Sequence, residues 1–161
     1  MEIIDRIETK KVLSVAAIDE GTVIDHIPAG KSILLLRLLK LKNKGHQITL
    51  GLNLPSSRLK AKDLIKIKDW EITSLEAAKI AIIAPVATIN IIHDYKVFHK
   101  YAVTLPSTIE HTVSCPNPCC ITSYEHTPCY FYVKPHKKEI LLTCKYCEQS
   151  FYQSDIKNYS F

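Results

Sequence analysis

All six cysteines of this 161-residue chain lie between residues 115 and 147. The segment contains Cys115-Pro-Asn-Pro-Cys119-Cys120 and, after a longer loop, Cys144-Lys-Tyr-Cys147. Two closely spaced pairs on separate knuckles are typical of a structural zinc site, in which four thiolates complete a tetrahedron and leave no position open for catalysis. From the spacing alone, either Cys119 or Cys120 is the second ligand.

The remainder of the chain indicates that these cysteines are reduced. The sequence is charged from residue 2, and its most apolar stretch, residues 32–41, contains Arg37 and Lys40. This pattern predicts neither a signal peptide nor a membrane span, and therefore a cytoplasmic protein whose cysteines bind metal. We interpret Cys129 as a core residue, and His126 and His136 as loop residues outside the metal site.

The sequence contains no recognised catalytic motif. The chain has four glycines, at positions 21, 30, 45 and 51, which excludes a glycine-rich phosphate loop and a dinucleotide fingerprint. It also lacks the HExxH and GxSxG motifs. The net charge of +5 is compatible with a phosphate-bearing ligand, a nucleic acid or an acidic partner. We therefore predict a non-catalytic protein.

Apolar periodicity before the cysteines predicts six elements in the order β-α-β-β-α-β. Thr73 and Glu76 form a capping signal for the second helix, and Gly45 is a candidate C-cap for the first. The order predicts an α+β fold of the ferredoxin-like, split βαβ type, with two helices on one face of a four-stranded antiparallel sheet. The predicted strands are residues 11–18, 47–52 (ended by Pro55), 63–70 and 88–97, and the predicted helices are residues 32–42 and the segment between Thr73 and Pro85.

The composition changes from aliphatic to rich in cysteine, proline and tyrosine near residues 104–107. We place a domain boundary there, which gives domains of residues 1–105 and 106–161. Short apolar runs at residues 130–133 and 140–143, joined by a lysine-rich turn at 134–138, predict a small all-β second domain. A unit of this size needs more than an apolar core, so one structural zinc ion is expected to hold it together.

Candidate ligand-binding residues occur in the first domain. Asp25 and His26 follow the first predicted strand, where a carboxylate is able to accept from a ribose hydroxyl and an imidazole to donate to a phosphate. Lys62, Lys66 and Lys100 are cations at strand positions that would have to converge to bind a polyphosphate. Taken singly, each lysine is more often a solvated surface charge.

Six segments together resemble the regulatory chain family of aspartate carbamoyltransferase. They are GTVIDHIPAG (21–30), ITLGLNLPS (48–56), KDLIKI (62–67), APVATIN (84–90), CPNPCCI (115–121) and CKYCE (144–148). The resemblance implies a nucleotide-binding domain for ATP, CTP and UTP, followed by a zinc domain that contacts the catalytic chain. It also implies a homodimer of regulatory chains that bridges catalytic trimers and allosteric control of pyrimidine biosynthesis.

The resemblance also implies roles for individual residues. Asp25 and His26 would serve ribose and phosphate, Lys66 and Lys100 would hold ribose and phosphates, and Lys62 and Leu64 would line the same pocket. The family spacing selects Cys115, Cys120, Cys144 and Cys147 as zinc ligands. Ala16 and the Pro118-Cys119 pair depart from the family pattern. The base would be framed by Ala17, Ile18, Val23, Asn90, Ile92, Tyr95 and Val97.

The alternative from another class is a zinc-ribbon protein that binds nucleic acid. The positive net charge and the KPHKK turn at residues 134–138 favour it. The sequence shows no interleaving of aromatic and basic residues of the kind that forms an RNA-binding platform. We therefore expect no nucleic-acid partner and no membrane partner.

Overall fold

The computed structural model describes residues 15–41, 45–125, 127–137 and 139–159. The first part contains two helices, α1 (Ser32–Leu38) and α2 (Ser74–Ile83). Five strands form one antiparallel sheet in the order β2-β3-β1-β4-β5. Neither helix has the length or the composition needed to span a membrane. The strands are β1 (Gly21–Pro28), β2 (Ile48–Ser56), β3 (Lys60–Lys68), β4 (Thr88–His93) and β5 (Lys96–Ala102).

This arrangement confirms the α+β class and the split βαβ order, since the first four strands lie as β2-β3-β1-β4 with α1 and α2 as their connections. Two details of the prediction were wrong. The sheet has five strands, because the run at 88–97 turns at Asp94 and Tyr95 and continues as β5. The first strand is residues 21–28; residues 15–20 are irregular, and residues 11–14 lie outside the described residues.

The limits of three other elements also differ from the prediction. Helix α1 ends at Leu38, because Lys40 takes a positive φ of 54°, and Gly45 therefore does not cap it. Strand β2 continues through Pro55, which is tolerated because β2 is an edge strand and one side of its backbone needs no partner. Helix α2 follows the prediction: Thr73 and Glu76 form the capping box, and the helix ends before Pro85.

Strand alternation gives the first sheet a buried face and an open face. Leu35 of α1 and Ile80 of α2 pack with Ile24, Ile65 and Ile89, all 0% exposed, so both helices lie on the buried face. One-residue bulges interrupt β1 after Ile24 and β2 after Gly51. Neither α1 nor α2 packs in the core on the opposite face of the same strands, which we call the open face, although Asn90 and Ile92 on it are only 9% and 7% exposed.

The second part is a four-stranded antiparallel sheet in the order β6-β7-β8-β9. Its core contains Phe131 and Leu142, together with Cys120 and Cys144. Ile82 of α2 also packs in this core, and Leu105 and Tyr159 contact both cores. His126 and Lys138 of the predicted turns lie outside the described residues. The strands are β6 (Thr108–Glu110), β7 (Tyr130–His136), β8 (Glu139–Cys144) and β9 (Ser150–Tyr152).

Candidate effector face and metal centre

The sulfur atoms of Cys115, Cys120, Cys144 and Cys147 all lie within 4.8 Å of one another. Cys115 and Cys147 are 3.7 Å apart, and Cys120 and Cys144 are 3.9 Å apart. Four thiolates at about 2.3 Å from a tetrahedral Zn²⁺ have sulfur–sulfur distances of roughly 3.8 Å. The two shortest of these distances match that value, so the four side chains are placed to hold one metal ion.

Fold and register bring the two knuckles together. Cys144 ends β8, which places Cys147 in the turn before β9, and Cys115 and Cys120 lie in the loop that follows β6. Cys119 is exposed, and Cys129 packs beside the core outside the cluster. The two cysteines that spacing alone left ambiguous thus differ clearly, because Cys120 is 1% exposed and lies inside the cluster.

Burial around these thiols disfavours free thiolates, so a bound cation would be required for all four to be deprotonated together. Burial raises the pKa of the Cys115 and Cys144 thiols above the ordinary range. Burial also acts on Cys147, but hydrogen bonds from the Asn117 side chain and the Gln149 N–H outweigh it and lower its pKa to about 7. Four thiolates this close together repel one another unless a metal ion offsets their charge. Thr122 adds a hydroxyl that donates to Cys120 Sγ at 3.2 Å.

The first sheet carries a different arrangement on its open face. The strand register aligns Thr49, Lys66, Val23, Asn90 and Lys100 in a single row across all five strands. A second row joins Gly21, Ile92 and Val97. Because residues directly opposite one another share a face, the predicted ligand residues from β1, β3, β4 and β5 project from the same surface.

Polar side chains cluster at one end of this open face. Lys62 Nζ lies 2.7 Å from Asp25 Oδ1, and the His26 ring contacts Thr88 Oγ1 at 3.3 Å. Burial by itself would raise the pKa of Asp25, but the hydrogen bonds from Lys62 and the His26 N–H outweigh it, so that pKa lies below its ordinary value. Asp25 is therefore an ionised acceptor at neutral pH, and Lys62 provides the adjacent cation.

The opposite end of the open face is bordered by irregular chain. The segment of residues 15–20 carries Ala17 and Ile18, and Lys66 Nζ donates to the carbonyls of Val15 and Ala16. Burial lowers the pKa of Lys66. Tyr95 lies in the turn between β4 and β5, and its N–H donates to Asp19 O at 3.1 Å. Residues implied in base binding therefore come together from two separate parts of the chain, the segment of residues 15–20 and the β4–β5 turn.

The sequence prediction missed Thr88 and Thr49, which lie on the same face as the candidate ligands. Thr88 pairs with Asp25 across β1 and β4, and Thr49 pairs with Lys66. They were missed because residues 21–28 were not predicted to be a strand. Without β1, the sequence does not show which residues of the adjacent strands lie on the same face. Leu64 pairs with Gly51, between Lys62 and Lys66 on β3.

Comparison with known proteins places the open face and the cysteine cluster in two domains of one protein family. A family model described as the aspartate carbamoyltransferase regulatory chain, allosteric domain, matches residues 13–104, and a second, described as its metal binding domain, matches residues 107–157. The chain is 48% identical over 139 residues to the aspartate carbamoyltransferase regulatory chain of Proteus mirabilis, covering 86% of this chain and 91% of that protein.

The similarity extends across distant organisms. The protein of the same name from Pyrococcus furiosus is 44% identical over 147 residues, covering 89% of this chain and 95% of that one. The one from Chromobacterium violaceum is 44% identical over 138 residues, with 86% and 91% covered. Both matching domains, the metal-binding cysteine cluster and these relatives lead to one conclusion: the chain belongs to the aspartate carbamoyltransferase regulatory chain family.

Proposed function

We propose that this chain binds nucleoside triphosphates on the open face of its first sheet and transmits their effect through its metal-binding domain to the catalytic chain of aspartate carbamoyltransferase. The observation that carries the proposal is the common facing of Lys66, Asn90 and Lys100, with the Asp25–Lys62 pair beside them. The metal centre belongs to a different domain, so effector binding and partner contact use separate surfaces. Regulation then depends on a difference in effector affinity between two global states.

The chemistry of the open face supports a polyphosphate ligand. Lys62, Lys66 and Lys100 are cations, and Asp25 supplies an acceptor for ribose hydroxyls. Val23, Ile92 and Val97 provide apolar surface for a base. We propose that ATP, CTP and UTP share this site, and that a purine and a pyrimidine differ in how far they separate the segment of residues 15–20 from the β4–β5 turn.

Lys100→Ala tests the site directly. Loss of a charged hydrogen bond to a phosphate is worth about 1.5–3 kcal/mol, so ATP and CTP affinities are expected to fall about 10-fold or more. Lys96→Ala is the matched control. Lys96 pairs with His93, next to the Ile92–Val97 pair of the open face, and strand alternation therefore places Lys96 on the other face of the sheet. Titration calorimetry of the metal-loaded chain provides the measurement, and an unchanged CTP affinity in Lys100→Ala would contradict the proposed site.

The metal is proposed to be one Zn²⁺ ion, because a closed set of four thiolates with tetrahedral spacing favours zinc. The proposed partner of the metal-binding domain is the catalytic chain in its trimers, in the cytoplasm. Pro118 and Cys119 are exposed in the first knuckle, at a surface where such a contact would occur. Co-purification decides it: a tagged form of this chain is expected to retain the catalytic chain, and its absence would contradict the partnership.

We further propose a division between residues 105 and 106. The separate apolar cores and sheets on either side support it. Ile82 contributes to the second core from α2, so the two domains are proposed to communicate through the apolar contacts of Ile82, Leu105 and Tyr159. Close-packed apolar side chains have few alternative arrangements. A small shift of one domain would therefore move the other domain with it.

The homodimer is proposed to form through α1 and the edge strand β2. A cavity of about 310 Å³ lies there, lined by apolar side chains that include Leu36, Ile48 and Leu50. Ile33 is 50% exposed and Leu52 is 51% exposed, and the backbone of β2 is paired on one side only. Edge strands with apolar neighbours favour pairing with another chain, and a second copy supplies a matching surface by symmetry.

Ile33→Lys tests this dimer. The new charge appears twice in a symmetric interface, so the dissociation constant of the dimer is expected to rise by about 10-fold or more. Leu75→Lys is the control, because Leu75 is a 69% exposed apolar residue on the other helix. Sedimentation over a range of concentrations measures both; equal dissociation constants in the two variants would contradict the placement of the dimer at α1 and β2.

A further inference from the structure

Glu20 connects two segments that border the candidate base site. Its Oε1 accepts from the Asp94 N–H at 3.1 Å, and its Oε2 lies 2.6 Å from His93 Nδ1. Glu20 immediately precedes β1, whereas His93 and Asp94 end β4 and begin the turn into β5. One carboxylate therefore holds the segment of residues 15–20 against the β4–β5 turn.

Neighbouring backbone contacts fix the geometry of this connection. Asp19 O accepts from the Tyr95 N–H at 3.1 Å, so two consecutive amides of the turn donate to two consecutive residues of the segment. Glu20 O accepts from the Asp69 N–H at 3.2 Å, and the Asp19 carboxylate pairs with Lys68 at 3.0 Å. Glu20 is thus anchored through its backbone to the residue that follows β3, while its side chain holds the turn.

The turn needs this support because of its backbone conformation. Asp94 has φ of 48° and Tyr95 has φ of 62°, values in the left-handed region that are unfavourable for residues other than glycine. A carboxylate that accepts from the first of these amides offsets part of that cost with a charge-assisted hydrogen bond. The Asp94 N–H and His93 hold the pKa of Glu20 below its ordinary value, which keeps the carboxylate ionised at neutral pH.

We propose that Glu20 is a positioning residue that sets the spacing between Ala17 and Ile18 on one side of the base site and Tyr95 and Val97 on the other. The inference rests on the nucleotide site proposed above. Glu20 determines base recognition rather than phosphate binding, because the cation Lys62, a phosphate-binding candidate, lies beside Asp25 at the other end of the open face. A loosened turn lets the base site widen and leaves Lys62 and Lys100 in place, because their strands β3 and β5 are paired within the sheet.

Calorimetry with three probes tests the inference on the full-length, metal-loaded chain: ATP, CTP and inorganic tripolyphosphate. Glu20→Ala is expected to lower the affinities for ATP and CTP by about 10-fold, and to change the affinity for tripolyphosphate by less than about twofold. Glu20→Gln keeps an oxygen acceptor for the Asp94 N–H and is expected to restore most of the nucleotide affinity. Glu71→Ala, which removes a carboxylate from the same cavity at this end of the sheet, is expected to behave as wild type.

Hydrogen exchange of the Asp94 and Tyr95 amides supplies a second readout that is independent of ligand. Both amides are expected to exchange faster in Glu20→Ala, with protection of β1 and β3 unchanged. Two results in Glu20→Ala would overturn the role of Glu20. One is an equal loss of affinity for ATP and for tripolyphosphate, and the other is unaltered nucleotide affinity together with unaltered amide exchange. If the wild-type chain binds tripolyphosphate but no nucleotide, the proposed nucleotide site fails, and this inference fails with it.

Discussion

Chelation of the bound metal is expected to unfold the second sheet while the first sheet remains folded. Cys120 and Cys144 are both ligand candidates and members of the second core, at 1% exposure each, so losing the metal places free thiols in an apolar core and removes the link between the knuckles. Apparent binding free energies of structural zinc are about 10–16 kcal/mol, more than the stability of a small domain. Metal binding and folding of this domain are therefore expected to be one event.

Trp70, the only tryptophan, makes this expectation measurable. It packs against the first core, so its fluorescence should change little on chelation, whereas proteolysis should cut residues 107–157 rapidly. Cys144→Ser is expected to behave as the stripped protein, and Cys129→Ser, outside the cluster, to keep one metal per chain. In the assembled complex the same treatment should separate the regulatory from the catalytic chains. A chelated chain with an intact second domain would contradict the role of the metal.

Asp63→Ala is expected to destabilise the first domain by about 3 kcal/mol or more, because several donors lose their acceptor and each unsatisfied buried group costs about 1–3 kcal/mol. Asp63 is 0% exposed and accepts from Gly30 N, Ser32 N, Ser32 Oγ and Asn53 N at 2.8–3.3 Å. These donors belong to the loop before α1, to α1 itself and to the bulge of β2. Alanine would leave four buried or half-buried donors without an acceptor.

The effect of this substitution should depend on pH in a defined direction. Burial by itself would raise the pKa of Asp63, but the hydrogen bonds from Asn53, Ser32 and Gly30 outweigh it, so the folded-state pKa lies below the ordinary value. A lowered folded-state pKa stabilises the protein above the unfolded-state pKa of about 3.9, and that contribution is lost as the pH falls through the folded-state value. Wild type and Asp63→Ala should therefore converge in stability in acid.

Urea unfolding followed by Trp70 fluorescence at pH 7 and at lower pH measures this difference. Glu71→Ala, an exposed carboxylate of the same domain, should change stability by less than about 0.5 kcal/mol at either pH. If Asp63→Ala differs from wild type by the same amount across this range, the ionised Asp63 carboxylate is not the stabilising group.

In the N-terminal part of the chain, local sequence signals predicted some elements and missed others. The capping box of Thr73 and Glu76 acts within one helical turn, so its residues alone predict the start of α2. The strand at 21–28 was missed because a bulge at Asp25 and His26, with φ of 59° at His26, breaks the alternation that identifies strands. The β4–β5 turn was missed because Asp94 and Tyr95 lack the glycine or asparagine that usually marks such turns.

The sequence by itself determined the α+β class, the β-α-β-β-α-β order of the first six elements and two closely spaced groups of cysteines able to bind metal, because each follows from a short-range pattern of residue types. Only the tertiary structure decided that Lys66, Val23, Asn90 and Lys100 form one row, that Asp63 anchors α1 to β2, and that Glu20 supports a distant turn. These contacts join residues far apart in the chain. Their geometry depends on strand register and bulges, which no local periodicity specifies.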